Sequence, residues 1–173
     1  MPHRWFVLGV APRHEKAVSQ LLRQKGYDTF LPLYVRSHKY ARRTREFELP
    51  LFPGYLFCRL DPMLRMPILT TPGVLQFIGA GRTPIPVPDD EIEALRRAAE
   101  AGIPMIPHPY WKTGQTGRIT SGPLNGIEGI VVQAKNIQGK NIEASNQLKL
   151  VLSISLLQRS VLLEIDSDCV ISA

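Results

Sequence analysis

Phe52-Pro53-Gly54-Tyr55-Leu56-Phe57-Cys58-Arg59-Leu60 sets a tight turn directly before an apolar run. Proline presets one backbone angle and glycine supplies the positive φ that other residues avoid, so the flanking rings arrive together at the start of a strand. Two readings are open at this point. Aromatics fixed by a rigid turn can form a binding pocket, and the same rings can simply enter the core, as most aromatics do.

Working outward, the segments around this turn predict an α+β scaffold. Arg4 to Val10 is strand-like, and Glu15 to Lys25 is a helix with Ala17, Val18, Leu21 and Leu22 on one face and Gly26 as its stop. Tyr27 to Leu33 reads as a second strand, followed by a basic loop, with Tyr55 to Leu60 a third strand and Val74 to Ile78 a fourth. A short helical segment falls near Met63 to Leu69, and Asp89-Asp90 open a last helix with acids at its positive end. The order βαββαβα fits a ferredoxin-like sandwich. Ala101 to Trp111 contains Gly102, Pro104, Pro107 and Pro109, which cannot continue that helix, and it is expected to be an interdomain linker. Beyond it, Arg118 to Thr120, Ile127 to Ala134, Leu148 to Ser155 and Val161 to Ile165 are short strands separated by turn residues, the pattern of a small barrel. The expected division is residues 1–103, a linker over 104–112, and 113–173.

The net charge of +6 is unevenly spread. Residues 36–45 hold Arg36, Lys39, Arg42, Arg43 and Arg45 with His38 and no acid, whereas the region after Trp111 is almost balanced. Such a cluster attracts phosphate by Coulomb energy and counterion release, and Tyr40 within it can stack on a base. A solvated loop is the alternative reading. On the first helix and the turn before it, Arg13, Lys16, Gln20, Arg23 and Gln24 present cations and amides able to bond phosphates and base edges, against the alternative of a solvated face.

Composition argues against disorder and against chemistry. A hydrophobic fraction of 44% suffices for packed cores. The apolar stretch Trp5 to Ala11 is short and contains Gly9, and no apolar run approaches membrane-spanning length, so a cytoplasmic protein without membrane contact is expected. Cys58 and Cys169 lack metal-ligand spacing and read as buried free thiols. The four histidines are scattered, His14-Glu15 is an isolated pair, and neither a nucleophile motif nor a phosphate loop is present; no enzyme and no cofactor is expected.

Three motifs in order carry a family resemblance. Trp5-Phe6-Val7-Leu8, the Phe-Pro-Gly-Tyr turn and Thr71-Pro72-Gly73-Val74-Leu75-Gln76-Phe77-Ile78-Gly79 resemble the amino-terminal (NGN) domain of the NusG family of transcription elongation factors. Gly122-Pro123-Leu124-Asn125-Gly126-Ile127-Glu128-Gly129-Ile130-Val131 resembles the KOW motif that follows it there, making the expected barrel SH3-like. Leu49 to Phe57 and Leu156 to Val161 look closest to specialised paralogues related to UpxY and RfaH.

The resemblance implies binding without catalysis. Phe6, Phe52, Pro53, Tyr55 and Phe57 would grip the clamp helices of RNA polymerase, and a second polymerase contact maps near Arg65 to Ile68. The first helix would meet the non-template DNA strand. Leu156, Leu157 and Arg159 fall where relatives meet a ribosomal protein or a termination factor, with leucine in place of the familiar phenylalanine. A monomeric factor that suppresses pausing and promotes antitermination in long operons is implied. The alternatives are a housekeeping elongation and termination factor, or a KOW-containing RNA- or ribosome-binding module. In the barrel, Gly117 stands where an apolar residue is common, so a weakened or bulged strand is expected, and the polar stretch Asn136 to Gln147 is a long loop.

Overall fold

Strand β1 (Arg4–Val10) carries no polar side chain after Arg4 and is buried from Trp5 to Val10, as a strand covered on both faces must be. The computed structural model describes residues 3–40, 43–81, 83–110, 114–132, 147–166 and 169–172. It divides the chain between Ile92 and Glu93 into two units.

In the first unit, β2 (Asp28–Phe30), β5 (Tyr55–Leu60), β1 and β6 (Val74–Phe77) lie in the order β2-β5-β1-β6, all antiparallel, with β9 (Pro86–Val87) also paired to β1. The register sets Phe6 opposite Cys58 and Leu8 opposite Leu56. These residues, with Val10 and Leu60, form one face of the core against Val18 and Leu22 of helix α1 (Glu15–Gln24) and Ile68 of the short helix α2 (Met66–Leu69). Burying a side chain the size of Val18 or Leu22 contributes about 1.5–3 kcal/mol, so this seam holds the helix to the sheet.

Helix α1 is rotated from the expected face. Glu15, Val18, Ser19 and Leu22 are its buried residues, whereas Ala17 is exposed and Leu21 remains 37% exposed. Two of the buried four are polar and bring their own partners: Ser19 Oγ lies 2.9 Å from Thr29 Oγ1, and Glu15 accepts from a backbone N–H described below. Gly26 ends the helix as expected, with Gly26 N–H donating to Arg23 O and Tyr27 N–H to Leu22 O.

The largest departure from expectation is the basic segment, which is no loop. It forms β3 (Leu33–Tyr40) and β4 (Arg43–Pro50), paired antiparallel in continuous register from Leu33 opposite Pro50 to Tyr40 opposite Arg43. Among the described residues these strands pair only with each other, and 35–39 and 43–48 are exposed. The hairpin is thus held by its own ladder rather than by burial. The short hairpin of β7 (Gly79–Ala80) and β8 (Thr83–Pro84) and strand β9 follow β6 before helix α3 (Asp89–Glu100), whose first turn carries Asp89, Asp90 and Glu91.

The second unit is a six-stranded antiparallel sheet ordered β10-β14-β13-β12-β11-β15, from β10 (Met105–Pro109), β11 (Gln115–Ile119), β12 (Glu128–Val132), β13 (Gln147–Ile154), β14 (Arg159–Asp166) and β15 (Val170–Ser172). Strands β11 to β14 form a meander, and β15 returns to pair with β11. Ile119, Leu124, Leu150, Ile154, Val161 and Leu163 are buried.

Two expectations are corrected here. Residues 105–109, read as linker, are strand β10 on the edge of this sheet, paired to β14 from Met105 opposite Leu163 to Pro109 opposite Arg159. Prolines at 107 and 109 are tolerated because an edge strand has one unpaired side. Trp111 lies outside the described residues. Gly117 brings no bulge: the β11–β12 register runs unbroken from Gln115 to Arg118, with Gly117 directly opposite Gly129. The stretch 136–146 lies outside the described residues, and Gln147 starts β13.

Gly129 is the glycine that packing requires in this sheet. A Cβ there would sit 2.8 Å from Leu150 Cγ and 2.9 Å from the Val151 carbonyl oxygen, and the backbone cannot yield as a side chain can. Gly129→Ala is therefore expected to destabilise the protein by about 1–3 kcal/mol. Urea unfolding followed by circular dichroism checks this, and an unchanged midpoint would refute the close approach.

Candidate functional site

Four short bonds fix the Phe-Pro-Gly-Tyr turn. Tyr55 N–H donates to Phe52 O at 3.1 Å, closing a turn with Pro53 and Gly54 at its centre, where Gly54 has φ +82°. Val10 N–H donates to Gly54 O at 2.8 Å, which ties the turn to the end of β1. Leu51 N–H donates to Pro32 O at 2.9 Å. Finally, Gly54 N–H donates to Glu15 Oε1 at 2.9 Å, joining the turn to the first residue of α1. Glu15 is 5% exposed and sits at the positive end of the helix, where a carboxylate is favoured. The sequence reading passed over it as half of an isolated His-Glu pair; an acid at the first helical position beside a turn amide was the available signal.

The structure separates the five candidate aromatic-pocket residues. Phe6, Phe52 and Phe57 are 2%, 3% and 0% exposed and belong to the interior. Phe57 meets Phe52 edge-on at 5.7 Å between centroids and Phe30 at 6.1 Å, while Phe6 meets Phe77 edge-on at 6.3 Å. These rings are corrected from contact residues to packing residues, because offset and edge-on ring contacts inside the unit already satisfy them. Pro53 is exposed and Tyr55 half-buried, so these two carry the turn to the surface. Beside it lies a groove of about 590 Å³ lined by Pro12, Arg13, Lys16, Tyr34, Glu48 and Pro53 among others. A second groove, of about 540 Å³, is lined by Arg4, Met63, Arg65, Pro84 and Pro86, with Met63 and the nearby Met66 largely exposed.

The polar candidates on and before α1 are all exposed, but two are already engaged. Arg23 donates to Thr29 Oγ1 at 2.8 Å and Thr29 O at 3.0 Å, holding the edge strand β2. Lys16 Nζ lies 3.0 Å from Glu48 Oε2 in a well-exposed ion pair, worth at most about 1 kcal/mol. Gln20 and Gln24 face solvent. Arg13 holds a left-handed backbone at φ +67°, in the turn closed by His14 N–H donating to Ala11 O. That conformation costs a non-glycine residue about 1–2 kcal/mol.

The basic cluster is divided between the hairpin's two faces. Arg36, His38, Arg43 and Arg45 share one face by register, and Lys39 lies on the other. Arg42 lies outside the described residues. In the second unit, Leu156 and Leu157 are half-buried in a 3₁₀ turn (Ser155–Leu157) and Arg159 is exposed at the start of β14. Arg97 donates to Pro123 O at 2.6 and 3.0 Å and to Asn125 O at 3.0 Å, fastening α3 to the 122–126 turn.

Among the described residues no group of three His, Cys, Asp or Glu could hold a metal, and no helix is long and apolar enough to cross a membrane. Burial, followed by the charge of Asp28, pushes the Cys58 thiol up to about 12, while Cys169 is half-buried.

A family model described as transcription termination factor NusG matches residues 3–96, more than half of the chain. The chain belongs to the NusG family. It is 28% identical over 150 residues to the transcription termination/antitermination protein NusG of Xylella fastidiosa strain 9a5c, covering 74% of this chain and 81% of that one. The NusG of Buchnera aphidicola subsp. Baizongia pistaciae is 26% identical over 176 residues, covering 94% and 92%. A solved structure of domain interaction in Thermotoga maritima NusG shares the fold with a TM-score of 0.56 at 19% identity, covering 98% and 97%. This NusG-family chain is accordingly a transcription factor and not an enzyme.

Two outcomes follow from this geometry. Glu15→Ala leaves the Gly54 amide without its acceptor and is expected to cost about 1–3 kcal/mol, with faster hydrogen exchange at Gly54, whereas Glu15→Gln keeps an acceptor and loses less. Equal exchange rates in both variants would remove Glu15 from the turn's support. In folded protein at pH 8, N-ethylmaleimide is expected to label Cys169 and spare Cys58, because a thiol titrating near 12 yields almost no thiolate there; mass spectrometry of the labelled peptides reads this directly.

Proposed function

We propose that this NusG-family chain is an elongation factor that binds the clamp helices of RNA polymerase, suppresses pausing and promotes antitermination in specific long operons. In this reading the first unit acts as a ferredoxin-like NGN domain and the second, β10 included, as an SH3-like KOW barrel. The observation that carries it is the Phe-Pro-Gly-Tyr turn, tied by Val10, Leu51 and Glu15 so that Pro53 and Tyr55 meet the surface on a rigid base. A preformed anchor loses little conformational freedom on docking, and tyrosine is a favoured hot-spot residue. Phe6, Phe52 and Phe57 contribute by filling the core beneath it.

A factor that holds the elongating state more tightly than the paused state shifts the polymerase toward elongation by the difference in affinity. The exposed Arg13, Gln20 and Gln24 and the hairpin cations support a contact with the non-template DNA strand over the same complex. Leu156, Leu157 and Arg159 offer the second unit a small mixed surface for a ribosomal protein or a termination factor. The sequences Leu49 to Phe57 and Leu156 to Val161 favour the specialised UpxY- and RfaH-related role over the housekeeping one.

Single-round elongation with purified bacterial RNA polymerase and the full chain tests this. Shorter pauses and more terminator readthrough are expected, and Tyr55→Ala with Pro53→Ala should raise the concentration for half-maximal effect about tenfold or more, the loss of one hot spot. An undiminished effect in the double variant would place the polymerase contact elsewhere. Failure of the native chain to bind polymerase at all would favour an RNA- or ribosome-binding module.

A further inference from the structure

A thioether stands in the open at the end of the β1–β5 pair farthest from the Phe-Pro-Gly-Tyr turn. β5 ends at Leu60 opposite Arg4, and a 3₁₀ turn (Pro62–Leu64) follows directly. Pro62 presets its first angle, and Asp61 caps it by accepting from Met63 N–H at 3.0 Å. The backbone of Met63 is thus held while its side chain is 76% exposed. Met66, at the start of α2, is 63% exposed, whereas Met105 in β10 is buried. Methionine is usually interior, so two this open and this close together call for a physical account.

The two exposed methionines differ in their surroundings. Met63 lines the groove of about 540 Å³ whose walls include Phe6, Pro62, Pro84 and Pro86, and Arg4 and Arg65 line it too. No acid lines it, and Met66 lies outside it.

We propose that Met63 is an oxidant-sensing site: a hydroperoxide in this groove converts its thioether selectively to the sulfoxide, and the polar product weakens the chain's hold on RNA polymerase. The second half rests on the reading that the chain binds polymerase and that the segment near Arg65 to Ile68 adds a contact to that of the turn. The first half rests on the groove alone.

The chemistry needs only the peroxide. A sulfur lone pair of Met63 attacks one peroxide oxygen, an S–O bond forms, the O–O bond breaks, and the second oxygen departs as hydroxide. The hydroxysulfonium proton passes to that hydroxide, leaving methionine sulfoxide and water; sulfur is oxidised by two electrons and the peroxide reduced by two. Negative charge develops on the departing oxygen, where guanidinium N–H donors stabilise it. Arg4 and Arg65 supply such donors on the walls of the groove. Exposure by itself would make Met63 and Met66 react alike, so the arginines are what set Met63 apart.

The product alters the surface and not the core. A flexible apolar side chain, well suited to an irregular partner surface, becomes a polar and chiral one in a wall built largely of proline and phenylalanine. Thiol oxidation is the competing cause of any peroxide effect, since Cys169 is half-buried. A disulfide or sulfenic acid is reversed by dithiothreitol alone, whereas a sulfoxide needs the reductase enzymes, one for each epimer.

Peptide mass spectrometry of the full chain during exposure to limiting hydrogen peroxide tests the first half. Oxygen uptake at Met63 is expected to be about 2- to 10-fold faster than at Met66, the effect of one net hydrogen bond to the leaving oxygen, with Met105 slowest. Arg4→Ala and Arg65→Ala should each slow Met63 toward the Met66 rate, although removing a bulky neighbour opens the site further, with circular dichroism showing the fold unchanged. Equal rates at Met63 and Met66, or no slowing in either arginine variant, overturns the site. The elongation assay tests the second half. The peroxide-treated chain should need about fivefold more protein or greater for half-maximal pause suppression, the scale on which an interface residue counts. Both methionine sulfoxide reductases with dithiothreitol should restore it, and dithiothreitol alone should not. Met63→Leu, apolar and unable to take up oxygen, should give the same half-maximal concentration before and after peroxide. If that variant weakens on treatment as the native chain does, Met66 or Cys169 is responsible and the assignment to Met63 fails. Unchanged action of a chain fully oxidised at Met63 overturns the sensing role and leaves the polymerase reading standing. An untreated chain without effect on polymerase sinks that reading and the sensing role with it, while the mass spectra still decide the groove chemistry.

Discussion

A single carboxylate at the start of α1 joins the two elements on which the first unit's surface depends. Glu15 accepts from the amide of Gly54, so the helix that covers one face of the sheet and the turn that starts the inner strand β5 cannot move independently. The bond is part-buried and charge-assisted, hence among the stronger hydrogen bonds a small domain has, and it lies at the end of the helix where the backbone already favours a negative charge. Val10 completes the clamp from the other side through Gly54 O. The positive φ at Gly54 is what points both polar groups of one residue at two different elements.

With the turn so fixed, the two readings of its aromatics resolve by geometry. A turn placed over the end of β1 must send the ring before it inward, and Phe52 duly packs on Phe57, which itself leans on Phe30. The ring after it lies at the start of β5 and stays half-exposed. The strands β1, β5 and β6, the ends of helix α1 and most strands of the second unit were legible from apolar runs and turn residues, because burial writes a period into the sequence. Which of several neighbouring aromatics faces out was not legible, since position within a strand is decided by register and register by partners far along the chain.

The same limit explains the other departures. The segment from Leu33 to Pro50 has no buried face along most of its length, so the usual apolar alternation is missing and charge dominates its appearance; the pairing of Arg36 with Phe47 becomes visible only when the two strands are laid together. On α1, the expected stripe failed because Glu15 and Ser19 are buried by satisfied hydrogen bonds rather than by hydrophobicity. In the second unit, prolines read as breakers are compatible with β10 because it is an edge strand.

The hairpin and the exposed Pro53 are separated by Leu51 and Phe52 alone, and both of these residues are buried. A two-stranded ribbon is marginal by itself, and the exposed Lys16–Glu48 pair adds little. Its orientation must then come from its base, where Leu51 N–H meets Pro32 O and the Leu51 and Phe52 side chains enter the core. The same two side chains set where Pro53 and Tyr55 surface. One short buried segment therefore orients both candidate contact surfaces, and the chain can present an apolar anchor and a cationic arm in a fixed relation although neither surface has a core of its own.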